Sequence, residues 1–200
     1  YDAENMEIYS YEFTELIRWL NRRNFFKFQF LDNSRDEFEK NICYYNASFN
    51  VSKIKINDIL YGIRLTMETN APFGYGEEQN IIFNFNDDNK THILYDVSEE
   101  IGYIYPTIII TCNENGDLSL YNELEKCTTS IKNCKVGEVI TLYGDTQIIA
   151  TTYSSHDICN DFNYDFFRIG NTMTERCNRI SASISCDVSI SYTPIIKNVF

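Results

Sequence analysis

The chain has 200 residues, 44% of them hydrophobic, with only 8 glycines and 3 prolines. Those proportions exclude a disordered, collagen-like or Pro-rich protein and predict a folded chain, one globular domain by default or two small lobes. Lys and Arg number 17 against 29 Asp and Glu, a net charge of −12. This balance argues against nucleic acid or an anionic membrane as partner and leaves a basic protein surface open.

The opening segment carries a helical pattern. Ser10 reads as an N-cap, and Phe13, Leu16, Ile17 and Leu20 recur at i, i+3, i+4 and i+7. Glu12 and Glu15 near the start, with Arg18, Arg22 and Arg23 near the end, suit the helix dipole. A helix over about 11–22 is predicted, either packing across a sheet or presenting Trp19 as a docking element.

Strand signals follow. Phe26, Phe28 and Phe30 alternate with polar residues, as do the apolar positions from Ile59 to Met67. Ile81, Phe83 and Phe85 precede a polar turn at 86–89, and Thr91 to Val97 reads as the next strand. The run Thr107-Ile108-Ile109-Ile110-Thr111-Cys112 predicts a fully buried central strand. Asn113-Glu114-Asn115-Gly116-Asp117 reads as a hairpin turn, since a calcium loop would need Glu where Asn122 stands. A hairpin is predicted around Gly144-Asp145. From Ile180 to Tyr192 apolar and polar residues alternate over thirteen positions, which predicts one strand with Cys186 facing inward. The sum is a mostly antiparallel two-sheet β-sandwich over 1–200 with one or two peripheral helices.

Seven cysteines (Cys43, Cys112, Cys127, Cys134, Cys159, Cys177 and Cys186) form no Cys-x-x-Cys pair, and two histidines are too few for an ordinary zinc site. Scattered through a strand-rich chain, they predict disulfides and therefore an oxidising compartment, with three bridges and one free thiol as the natural count. Sequons at Asn46, Asn50 and Asn89 agree with that placement. So does a chain beginning at Tyr1 with no apolar leader, as in a mature secreted protein. No apolar run approaches the ~18 residues a membrane span needs.

Positive signs of catalysis are lacking. The acidic pairs Glu77-Glu78, Asp87-Asp88 and Glu99-Glu100 are adjacent in sequence, whereas a hydrolase needs carboxylates converging across a cleft. His156 and Cys159 sit close together, yet nothing marks an oxyanion hole and Cys159 is expected in a disulfide. No phosphate-binding or nucleophile-elbow motif occurs, and no metal or cofactor is expected. Phe73 and Tyr75, on a glycine-bearing segment, are candidate interface anchors unless the loop folds back onto the body. A binding protein is thus favoured over an enzyme.

The alternating strand Ile59-Leu60-Tyr61-Gly62-Ile63-Arg64-Leu65-Thr66-Met67 and the strand Ile108-Ile109-Ile110-Thr111-Cys112, in a chain rich in Ile, Asn and Tyr, resemble the poxvirus immune evasion domain family. The resemblance implies a β-sandwich immune-evasion protein in the ER lumen or secreted. Its length is most like family members that retain MHC class I, heavy chain with β2-microglobulin, in the ER. A KDEL-type retrieval receptor would be a second partner only through a C-terminal tail that this sequence lacks. Chemokine- or cytokine-binding relatives are the alternative, and a secreted hydrolase a distant one. On this reading His92 and His156, the only groups that titrate naturally in the mildly acidic range, are candidate pH sensors.

Overall fold

The computed structural model describes residues 8–30 and 43–197. The chain divides into two compact units at Tyr75/Gly76, not into the single domain expected over 1–200. Both units are dominated by antiparallel strands.

The first unit opens with α1 (Ser10–Leu20), one residue earlier than predicted at its start and two at its end. The backbone N–H of Tyr9 donates to the Glu12 carboxylate at 2.9 Å, so the helix is closed from within its first turn. Phe13 is buried, Leu16, Ile17 and Leu20 are half-buried, and Tyr11 and Trp19 face outward. Next come β1 (Phe26–Phe28), β2 (Tyr45–Ile56), β3 (Ile59–Thr69) and the short β4 (Gly74–Tyr75). The first three form one antiparallel sheet in the order β1-β2-β3. Tyr45 and Ala47 are buried on one face of β2, and Phe28 meets Phe49 edge-on at 4.8 Å.

The second unit contains two main sheets. The four-stranded one runs β10 (Cys127–Cys134), β9 (Gly116–Asn122), β14 (Cys177–Ala182), β6 (Thr91–Tyr95). The five-stranded one runs β12 (Ile148–Thr151), β11 (Val139–Tyr143), β8 (Thr107–Cys112), β15 (Cys186–Tyr192), β5 (Gln79–Phe85). A two-stranded ribbon pairs β7 (Gly102–Ile104) with β13 (Ile169–Asn171), and a one-turn helix α2 (Ile158–Asp161) follows β12. The inner faces of both large sheets enter one buried cluster, with Phe85, Ile108, Ile110 and Val188 from one and Leu94, Leu120, Ile131 and Ile180 from the other. Burying these alternate residues is what drives the layers together, at roughly 25 cal/mol per Å² of apolar surface.

Three sequence expectations need correction. The predicted thirteen-residue strand is two strands: β14 belongs to the four-stranded sheet and β15 to the five-stranded one. Ile180, Ala182, Cys186, Val188, Ile190 and Tyr192 still face the core, because crossing between facing layers preserves which side is inward. The serines at the crossing bond to backbone rather than water alone. Ser183 Oγ donates to Asp117 O at 2.8 Å, and Ser185 Oγ to Phe85 O at 3.1 Å. Residues 113–115 likewise connect β8 and β9 across the layers and do not close a hairpin. Finally, β8 is central but buried on one face only: Ile109 is 43% exposed between Ile108 and Ile110.

Candidate functional site

Among the described residues of the first unit, the β2–β3 hairpin exposes a run of apolar side chains. Its two-residue turn, Asn57-Asp58, has φ of 49° and 66°, the positive values that a tight hairpin turn requires. Ile56 pairs directly with Ile59, and Tyr61 is an extra residue, bulged out between the Ile54–Gly62 and Lys55–Leu60 pairs. Ile54 leans over Gly62, with its Cβ 3.5 Å from where a glycine Cβ would stand. Ile54, Ile56, Ile59, Tyr61 and Leu65 are all exposed, Ile56 at 58%. Among the described residues β3 has a strand neighbour only in β2; on its far edge the Ile8 N–H reaches Leu60 O at 2.9 Å. An edge with free backbone groups and apolar side chains is a template for another chain. The hairpin also carries Lys53, Lys55 and Arg64 along with Asp58 and Glu68, and the Lys53 ammonium sits 4.4 Å from the centre of the Phe13 ring. Its own sequence signal was the Asn-Asp pair between two alternating runs, which the reading from Ile59 onward overlooked.

Phe73 and Tyr75 lie within an aromatic stack of the first unit. Tyr75 stacks on Tyr44 at 5.5 Å, Phe73 meets Tyr75 edge-on at 5.5 Å, and Lys27 Nζ sits 4.0 Å from the centre of Tyr44. Paired N–H···O bonds of 2.8 Å join Tyr44 and Tyr75, so both aromatics are half-buried packing residues.

The two histidines have different surroundings. His92 is held between Phe83 and Phe85, at 4.9 and 4.8 Å, with Nε2 2.9 Å from Asn84 O. The His156 side chain is 2% exposed, with Nδ1 2.6 Å from Glu138 Oε1 and Nε2 3.3 Å from Asp161 Oδ2. Burial opposes the imidazolium, yet the Glu138 hydrogen bond and charge outweigh it and raise the His156 pKa. For Glu138, burial acts upward, but hydrogen bonds from Thr151, His156 and the Lys135 N–H hold it below the usual carboxylate value. The pair ties the end of the β10–β11 connection to the segment before α2.

All seven cysteines are free thiols, and no two are at bonding distance, so the expected disulfides are not present. Cys43, Cys112, Cys127, Cys134 and Cys186 are buried, and Cys159 and Cys177 are exposed. Cys186 stands directly opposite Cys112 on the paired strands β15 and β8, and the Cys134 thiol donates to Ile131 O at 3.4 Å. Among the described residues no grouping of His, Cys, Asp and Glu could hold a metal ion. The sequon asparagines lie on β2 (Asn46 half-buried, Asn50 exposed) and in the exposed turn at Asn89. Among the described residues no helix is long and apolar enough to cross a membrane.

These features define a two-unit β-rich protein whose first unit, among the described residues, leaves the far edge of β3 without a strand neighbour. Residues 2–71 match the family described as the phage tail protein N-terminal domain, and residues 73–192 the phage tail C-terminal domain. The chain therefore belongs to this phage tail protein family, and the seam between its two domains, at residues 71–73, lies close to the Tyr75/Gly76 division of the units. Its fold is similar to that of SPP1 Dit (gp 19.1), described as a paradigm of the hub adsorption apparatus in phages infecting Gram-positive bacteria. The TM-score is 0.63 at 10% identity, over 92% of this chain and 73% of that one. No curated protein matches.

Family membership overturns the resemblance to poxvirus immune evasion domains. With it go MHC class I and the retrieval receptor as partners, the ER or secreted location, and the chemokine-binding and hydrolase alternatives. The strings 59–67 and 108–112 misled because they are short alternating strands, which any half-buried sheet contains. His92 and His156 lose the acidic-compartment role proposed for them, and the sequons lose the compartment in which they would be modified.

Proposed function

We propose that this chain is a structural subunit of a phage tail, at the hub of the adsorption apparatus, working by assembly with other tail chains and not by catalysis. The observation that carries this is the pair of tail-domain matches, one for each compact unit. The hub position draws support from the fold likeness to SPP1 Dit. Among the described residues the far edge of β3 has no strand neighbour and one backbone contact, from Ile8, so a strand of a second copy adding to it by backbone pairing is a physical means of assembly.

Gold-labelled antibody against the chain, imaged on intact particles, tests the location. Label at the tail tip is expected; label absent from particles defeats the reading. Light scattering tests the edge. The wild-type chain should self-associate, and Ile56→Lys with Ile59→Lys should leave monomers that are still folded by circular dichroism.

A further inference from the structure

The four-stranded sheet of the second unit has two unlike edges. On β10 the edge is covered: Ser130 N–H donates to Asn163 Oδ1 at 3.1 Å, Asn163 N–H to Ser130 O at 3.1 Å, and the Asn163 amide to Thr128 O at 2.7 Å. The opposite edge, β6, pairs with β14 alone among the described residues. Asp96 N–H donates to Arg176 O at 3.0 Å and Ala182 N–H to Lys90 O at 3.4 Å, so even-numbered residues turn their backbone groups toward β14. Odd-numbered ones point the other way. At the two ends that side is taken, by Asn86 at Asn89 and by the Tyr192 hydroxyl at Val97. Between them Thr91, Ile93 and Tyr95 have no strand partner on that side among the described residues. Ile93 is 59% and Tyr95 56% exposed. The stretch from Thr91 to Tyr95 has no proline, Lys, Arg, Asp or Glu, the residues that blunt an edge against pairing.

The far edge of β3 follows the same logic. Asn70 N–H donates to Asn46 O at 3.0 Å, and the register is unbroken back to Gly62. Gly62, Arg64, Thr66 and Glu68 therefore turn their backbone groups to β2, while those of Ile63, Leu65 and Met67 point away from it. The Ile8 contact is at Leu60, on the other side of the Tyr61 bulge. Laid antiparallel with Leu65 opposite Ile93, the two stretches set Ile63 opposite Tyr95 and Met67 opposite Thr91. Each of these pairs can exchange two N–H···O bonds, and their side chains share one face of the extended sheet. In the same register Glu68 falls opposite Lys90, which within its own chain pairs with the exposed Asp87 at 3.3 Å.

We propose that β6 is the surface that receives β3 of a second copy, so that each chain gives one edge and accepts on the other. The proposal rests on self-association through β3 and adds where that strand docks. Pairing of β3 with β3, or of β6 with β6, would be isologous and complete at two copies; pairing of β3 with β6 is heterologous and continues past two.

The test uses the full chain with Leu65→Pro in one preparation and Ile93→Pro in another. Both positions direct N–H outward from an edge, where proline removes no bond within the sheet. Each variant, its fold checked by circular dichroism, should be monomeric by light scattering at concentrations where the wild type assembles beyond dimers. Mixed together, the two should form one-to-one dimers and nothing larger, because one keeps an intact β6 and the other an intact β3. Should proline unfold either edge, charge reversal decides. Glu68→Lys and Lys90→Glu should each weaken association roughly two- to five-fold, and the two in one chain should restore it. Ile93→Pro associating as strongly as the wild type, with Leu65→Pro monomeric, would overturn the β6 assignment and leave self-association through β3 standing. A mixture that stays monomeric would overturn the β6 assignment as well. A wild type that is monomeric throughout would overturn both.

Discussion

Asn122 and Asn178, 56 residues apart in the chain, meet in the interior of the second unit, where the Asn122 amide donates to Asn178 Oδ1 at 2.7 Å. Both are fully buried. Asn178 also accepts from Gly170 N–H at 2.7 Å and donates to Gly170 O at 2.9 Å, while Asn122 donates to Arg168 O at 2.7 Å. Two side-chain amides thus do for residues 168–170 what a neighbouring strand would do, satisfying backbone groups that lie away from water. Asn178→Ala strands both polar groups of Gly170, and we expect a loss of about 3 kcal/mol or more in urea unfolding. A loss under about 1 kcal/mol would show that water replaces the amide.

The Glu138–His156 pair makes the stability of the second unit depend on pH with a definite sign. His156, raised from its ordinary 6.5, contributes fully below that value, and its share is lost as pH rises through the higher folded pKa. Glu138, lowered from 4.5, contributes fully above that value, and its share is lost as pH falls through the lower folded pKa. The urea midpoint of the wild type should exceed that of His156→Gln by most between pH 4.5 and 6.5. A gap that kept widening toward alkaline pH would contradict the pairing. In Glu138→Gln the His156 pKa, read by NMR, should move down.

Replacing Asp58 with glycine should stabilise the first unit. At φ of 66° an L side chain is strained and glycine is not, and Asn-Gly is the favoured pair for a two-residue hairpin turn. We expect a gain of about 1 kcal/mol, seen as a higher thermal midpoint with unchanged secondary structure. The reverse test, Asn57→Ile, should cost at least as much.

Gly144 makes a different prediction. A Cβ there would stand 2.5 Å from the Tyr105 carbonyl carbon and oxygen and would also strike Pro106 O. The obstacle is backbone, so it cannot swing aside. Gly144→Ala should cost about 2 kcal/mol by chemical denaturation, whereas Asp145→Ala beside it should cost little.

Several elements were readable from the chain because one local pattern determines each. The apolar spacing of Phe13, Leu16, Ile17 and Leu20 yields α1, and Gly144-Asp145 marks the β11–β12 turn. Even there the glycine serves to let backbone approach backbone, which the turn signal alone does not reveal. The inward set from Ile180 to Tyr192 was right residue by residue, yet the strand count was wrong. Alternation records which side faces the core and carries no mark of the sheet to which a strand belongs. Buried thiols misled for a related reason: Cys is a small apolar core residue as readily as half of a bridge. The β3 edge was hidden because exposure of Ile56 and Ile59 depends on what fails to cover them, a fact about the fold and not about any one segment.

The place of β15 in its sheet bears on how the protein is made. Residues 186–192 come late in the chain, yet they fill the middle position, with β8 on one side and β5 on the other. On the ribosome, β5 and β8 must wait without their shared neighbour until nearly all of the second unit has been synthesised. During that delay Phe83, Phe85, Ile108 and Ile110 lack their final cover, so nascent chains and C-terminally truncated products should be the species that chaperones hold and proteases remove.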